Sequence, residues 1–302
     1  MKRVVLFGTG AMSCLFAARL AKAADIAMIG TWTEAIDAIR RRGILIEGLR
    51  GAGVIRVDSH YIGEPAAPAD LVIILVKAWQ TGTVAKHLAG YLRSDGIAIS
   101  LQNGLGNLDL LGERVSPGST AMGATLLGPG HVQPGGEGLT QMVASDWVVD
   151  LFRESGLEAR RCNADEAESL LWGKLCVSCG INALTALLRI PNGGLLERPD
   201  ASALMIKATE ECAAIAKLKG IVLPFADPAL YVREVAKRTA TNRSSMLQDI
   251  LRGAPTECDA INGAVVREAN RFGASAPVNE ILRQLVRAAG DKTGVISKHA
   301  DS

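Results

Sequence analysis

The chain has 302 residues, 48% of them hydrophobic and 21% charged, with a formal net charge of +2. That length fits about two domains, and the composition is that of an ordinary globular core. The near-neutral balance supplies no electrostatic case for nucleic acid or for an anionic membrane surface as a partner.

The first residues, MKRVVLFGTGAMSCLFAARLAKA, have the outline of a secretion signal, but Gly8 and Gly10 break the apolar run and Arg19 puts a charge into the next one. No window of 18 uninterrupted apolar residues occurs, so no transmembrane span is predicted and the cytoplasm is the expected location. The six cysteines are then expected to be reduced. Cys176 and Cys179 form a C-x-x-C without a second pair at zinc spacing and read as small apolar residues of a buried helix. The histidines, His60, His87, His131 and His299, are scattered, and no metal is expected.

The same N-terminal stretch predicts a strand over Arg3 to Phe7, a glycine turn, a helix from about Ala11 to Ala23, and a strand over Asp25 to Ile29. This is the opening βαβ unit of a dinucleotide-binding sheet. In the turn, Gly8-Thr9-Gly10-Ala11-Met12-Ser13, the two glycines allow a tight bend and close approach of backbone to a pyrophosphate. Ser13 stands where a third glycine is usual. Apolar strands are predicted over Asp70 to Trp79, Gly96 to Gly104 and Thr120 to Gly128, and GPGHVQPGGEG reads as turns.

From about Asp165 the pattern becomes helical: Asp165 to Leu187, Ala201 to Lys219, Pro228 to Thr239, Pro255 to Phe272 and Val278 to Ala289, with prolines between. The expected plan is α/β: a Rossmann domain over residues 1–164, an all-helical domain over 165–302, and a cleft between them. The helical half is apolar enough to hold a homodimer interface.

Polar residues come after the strands where such a sheet binds ligands: Lys77 and Gln80 after one, Gln102 and Asn103 after the next. Polar residues also cap strand ends in general; with the glycine turn, the pattern favours a cofactor crevice. In LWGKLCVSCGIN, Lys174, Ser178 and Asn182 share one helix face at intervals of four. Lys174 could snorkel out of a core helix or serve chemistry from a partly buried position. Ser244 and Ser245 could N-cap a short helix from Met246, and Glu257 could complement the dipole of the next helix.

These motifs, in order with VKAWQT, LQNGLGN and SSMLQDI before TE.D.ING, resemble the ketopantoate reductase family (ApbA/PanE, 2-dehydropantoate 2-reductase) along nearly the whole chain. The resemblance implies a Rossmann domain, a C-terminal domain of 6-phosphogluconate dehydrogenase type, and NADPH-dependent reduction of 2-dehydropantoate to pantoate on the pathway to pantothenate and coenzyme A. It implies Lys174 as catalytic lysine and Ser178, Asn182, Ser245, Glu257 and Asn103 as substrate-binding groups, with Glu257 and Asn103 also reaching the cofactor. Lys77, Gln80 and Asn103 fall around the nicotinamide side, and Gly8 to Ser13 at the pyrophosphate.

Two further departures stand out: Ser178 replaces an asparagine of the family, and Thr31 replaces the arginine that reads the 2′-phosphate of NADP. No Asp or Glu, the usual sign of NAD, stands immediately at that strand end either, and Thr31 and Thr33 could bond either cofactor; NADPH is the expected cofactor and NADH the alternative. The alternative functions are a paralogue acting on another small 2-oxo or hydroxy acid, which Ser178 favours, and a nucleotide-binding sensor without turnover, against which the retained Lys174, Asn182, Ser245 and Glu257 argue.

Overall fold

The run KRVVLF forms β1 (Lys2–Phe7), in which Val4, Val5, Leu6 and Phe7 are wholly buried. A strand buried on both faces is what helices on either side of a parallel sheet require. The computed structural model describes residues 1–48 and 51–290; His299 and the last residues of the expected helical domain lie outside the described residues.

After β1 come α1 (Ala11–Leu20), β2 (Ala24–Gly30), α2 (Thr33–Arg42), β3 (Ile44–Gly48), β4 (Gly51–Ile55), β5 (Asp58–Tyr61) and β6 (Ala69–Ile74). A single 3-10 turn (Ala78–Gln80) leads into α3 (Thr81–Tyr91), β7 (Leu92–Ser100), α4 (Asn107–Leu111) and β8 (Val115–Thr120). Next are β9 (Gly123–Gly128), β10 (His131–Gly136), β11 (Thr140–Met142), α5 (Asp146–Glu154) and β12 (Ala159–Arg161).

The main sheet has the order β12-β11-β8-β7-β6-β1-β2-β5, and every neighbour pair from β5 to β8 is parallel. Strand order reverses between β1 and β6, the switch point at which open α/β sheets bind ligands. Side chains alternate between two cores. Val4 and Leu6 join Phe16 and Phe152 on one face, and Val5 and Phe7 join Val84, Leu88 and Tyr91 on the other.

Several boundaries differ from the sequence expectation. The strand expected to reach Trp79 stops at Ile74, because its ladder partners β1 and β7 end at Phe7 and Ser100. The predicted Thr120 to Gly128 strand is divided: Thr120 ends β8, and Gly123–Gly128 belongs to a separate sheet of order β4-β3-β10-β9. The glycine- and proline-rich stretch read as turns contains β10. Pro134 stands where β10 has already left β3, which it pairs only at His131 and Val132, and just before its register with β9 shifts, a strand-end position where proline is tolerated.

The chain divides into two units after Glu168, within α6 (Ala164–Leu188). The second unit contains the rest of α6, a 3-10 turn (Asn192–Leu195), α7 (Pro199–Leu218), α8 (Pro228–Arg238), α9 (Ser245–Leu251), α10 (Asn262–Arg271) and α11 (Pro277–Gly290). The proline at the N1 position of α7 and of α8 supplies the fixed φ that opens a helix. The helix expected from Pro255 begins only at Asn262. Ahead of it, the N–H groups of Ala260 and Ile261 both bond the Glu257 carbonyl at 3.0 Å, forming tight turns instead. By length and apolar composition α6 alone among the described helices could cross a bilayer, but 61% of that window is buried inside the protein.

Candidate active site

At the end of β1, Gly8 has φ +125°, and its N–H donates to the Ile29 carbonyl at 2.7 Å. A Cβ there would lie 3.3 Å from the Leu75 backbone and 2.4 Å from Ser13 Oγ. Ser13 thus occupies space that the missing Gly8 side chain leaves open, and this accommodates its departure from the glycine pattern. Its hydroxyl is buried without a hydrogen-bond partner. Gly10, the N-cap of α1, has open space where a Cβ would stand and makes no side-chain cap. No acid lies in the first turn of α1, so the amides of Ala11, Met12 and Ser13 begin a helix suited to an anion. Thr9 is buried, and Gly30 makes room for it: a Cβ at Gly30 would be 2.9 Å from the Thr9 methyl. A dinucleotide pyrophosphate fits this cradle.

Two predicted cofactor residues meet across the sheet. Gln80 Nε2 donates to Thr31 Oγ1 at 2.9 Å, joining the segment after β6 to the end of β2. Lys77 and Asn103 are partly buried at the ends of the neighbouring strands. Gln102, by contrast, is an internal brace. Its amide donates to the Val76 carbonyl at 3.0 Å and to Thr81 Oγ1 at 2.8 Å. Thr81 donates to Asn107 Oδ1, and Asn107 Nδ2 donates to the Asn103 carbonyl. Thr81 and Asn107 were not apparent as part of this region from sequence.

In the helical unit, Lys174, Ser178 and Asn182 are partly exposed, while Leu175, Cys176, Cys179, Ile181 and Ala183 are buried. The four-residue spacing therefore does form one polar face. Beside Lys174, a Cβ at Gly173 would come within 2.7 Å of Pro224, so this glycine lets the Pro224–Phe225 segment lie close against α6. Burial pushes the Lys174 ammonium down to about 8, and the Glu257 carboxylate opposes that fall. Glu257 is 5% exposed and lies in the turn before α10, too far ahead of the helix to serve its dipole as expected.

Capping of α9 falls to Ser244, whose Oγ accepts the Leu247 N–H at 3.1 Å; Ser245 is the first helical residue and partly exposed. Thr185 Oγ1 donates to Ser244 Oγ at 2.7 Å, which ties the turn bearing Asn182 to the residue before Ser245. Sequence inspection passed over Thr185, although it continues the polar face three residues beyond Asn182. All six cysteines are free thiols.

Models of the ketopantoate reductase PanE/ApbA family match residues 4–147, and of its C-terminal domain residues 166–290. A 2-dehydropantoate 2-reductase of Archaeoglobus fulgidus is 34% identical over 298 residues, covering 95% of this chain and 97% of that protein. The crystal structure of a PanE/ApbA family ketopantoate reductase from Ralstonia eutropha superposes with a TM-score of 0.88 at 30% identity, covering 96% of this chain and 99% of that one. The ternary structure of D-mandelate dehydrogenase with NADH and anilino(oxo)acetate has a TM-score of 0.90 at 24% identity, covers 96% and 99%, and is a likeness of fold alone.

Proposed function

The chain belongs to the ketopantoate reductase family, and from that premise we propose that it reduces 2-dehydropantoate to pantoate with NADPH, on the route to pantothenate and coenzyme A. The observation that carries this reading is the partly buried Lys174, held near 8 and under the influence of Glu257, on a helix face shared with Ser178 and Asn182.

A bound reduced nicotinamide supplies hydride to the ketone carbon. Lys174 stabilises the charge developing on the carbonyl oxygen and donates the proton to it. With its pKa near 8, about nine-tenths of the lysine is protonated at pH 7. Asn182 and Ser245 bind polar groups of the substrate, Glu257 its hydroxyl end, and Ser178 reaches it through a water. Asn103 contributes to both substrate and nicotinamide binding, with Lys77 and Gln80 on the cofactor side. The turn from Gly8 to Ser13 holds the pyrophosphate, through amides beyond Gly8, whose own N–H is bonded to Ile29, and Thr31 takes a ribose hydroxyl or 2′-phosphate. Free thiols are in keeping with the cytoplasm. The exposed Leu204, Ile281 and Leu285 support a homodimer.

Ser178 favours a second reading: a shorter side chain beside the lysine enlarges the pocket and suits a different 2-oxo acid. Cofactor oxidation should be followed with 2-dehydropantoate and a panel of small 2-oxo acids, using NADPH and NADH in parallel. Turnover fastest on 2-dehydropantoate supports the first reading, faster turnover on another acid the second. Cofactor binding without turnover on any acid overturns both.

A further inference from the structure

The hydroxyl pair joining α6 to α9 bears on substrate binding, given the functional reading above. Thr185 has no exposed surface, and Ser244 is 7% exposed. Ser244 Oγ accepts from both the Leu247 N–H and the Thr185 hydroxyl, at 3.1 and 2.7 Å, so its two lone pairs are occupied. Capping needs only the first of these bonds. The second is a link between residues 59 apart in sequence. Thr185 Oγ1 also lies 2.8 Å from the Ile181 carbonyl and 3.1 Å from the Asn182 carbonyl; its one hydrogen serves one acceptor at a time, and the bond to Ser244 joins α6, one turn beyond Asn182, to the cap preceding Ser245. Because α9 has only seven residues, its orientation depends on what holds its ends.

We propose that Thr185 is a positioning residue: its buried hydroxyl sets the placement of Asn182 relative to Ser245, and hence the affinity for the 2-oxo acid, without touching the reacting atoms. A second buried threonine provides the comparison. Thr209 Oγ1 bonds the Cys176 carbonyl at 3.0 Å and the Met205 carbonyl at 2.9 Å, also joining two helices, and makes no bond to Ser244.

The test is steady-state kinetics with 2-dehydropantoate and thermal melting for Thr185→Val, Thr185→Ser and Thr209→Val. Thr185→Val should raise the KM for the 2-oxo acid about tenfold with kcat within about threefold and the cofactor KM unchanged. Thr185→Ser should return that KM to within about twofold of wild type. Thr209→Val should lower Tm without moving KM. A Thr185→Val enzyme that loses Tm but keeps its KM overturns the proposal, as does a serine variant that fails to rescue. Should Thr185→Val not fold, Ser244→Ala removes the same acceptor, and an unchanged KM there is equally decisive against it. Wild-type enzyme without turnover on 2-dehydropantoate overturns the functional reading and this proposal together, whereas normal wild-type turnover with unmoved variant KM values overturns this proposal alone.

Discussion

The strand ends of the first unit and the α6 face of the second, the two candidate ligand regions, are built by different means. In the first, Gln80 is bonded to Thr31, and Gln102, Thr81 and Asn107 brace one another, while Gly8 and Gly10 supply bare backbone. In the second, a single lysine is kept partly out of water by apolar packing, and one buried carboxylate bears on it. Backbone amides bind an anion through shape, so their site needs bracing. A proton donor works through its pKa, so its site needs burial.

Lys174→Ala attacks the second region directly and should lower kcat by roughly two to four orders of magnitude, with cofactor affinity preserved. Single-turnover kinetics beside cofactor titration measures both; near-normal turnover would take the lysine out of the mechanism.

The pH profile sharpens the same contrast. With Lys174 near 8, kcat/KM for ketone reduction should be level below that pH and fall about tenfold per unit above it. Oxidation of pantoate needs the neutral amine and should rise through the same range. For stability, the unfolded lysine keeps its proton up to the ordinary 10.5. Between about 8 and 10.5 the unfolded chain therefore binds more protons, and this residue's contribution to stability rises with pH. A profile without an inflection near 8 would mean that burial does not tune this group.

Gly8→Ala tests the backbone region. A side chain at φ +125° is strained and meets Leu75 and Ser13, at a cost of about 1–3 kcal/mol. Lower Tm and weaker cofactor binding, with little change in substrate affinity for the enzyme that does bind cofactor, is the expected result; undiminished cofactor binding would contradict the cradle. The smallest effect is expected from Ser178→Asn, a few-fold tighter 2-dehydropantoate KM if the family's binding pose applies. An unchanged or weaker KM would support the reading in which this pocket serves another acid.

Much of this was legible locally. The glycine turn between strand and helix, and the spacing of Lys174, Ser178 and Asn182, are written in periods of two and 3.6 residues, which backbone geometry imposes on any short segment. Strand β10 was missed because its composition is that of turns, and only its pairing with β9 and β3 makes it a strand. Other assignments turned on distant partners. Gln102 points inward to Val76 and Thr81, and Ser244, besides capping α9 locally, takes the Thr185 hydroxyl from 59 residues away.

By itself, then, the sequence determined the α/β and helical halves, the glycine turn and the polar face of α6, because each depends on neighbours within a few residues. Only the tertiary structure decided that Glu257 bears on Lys174 from a turn, that Ser13 fills the space above Gly8, and that Thr185 holds Ser244. Burial and hydrogen bonding between segments far apart in the chain set those outcomes, and no local period encodes them.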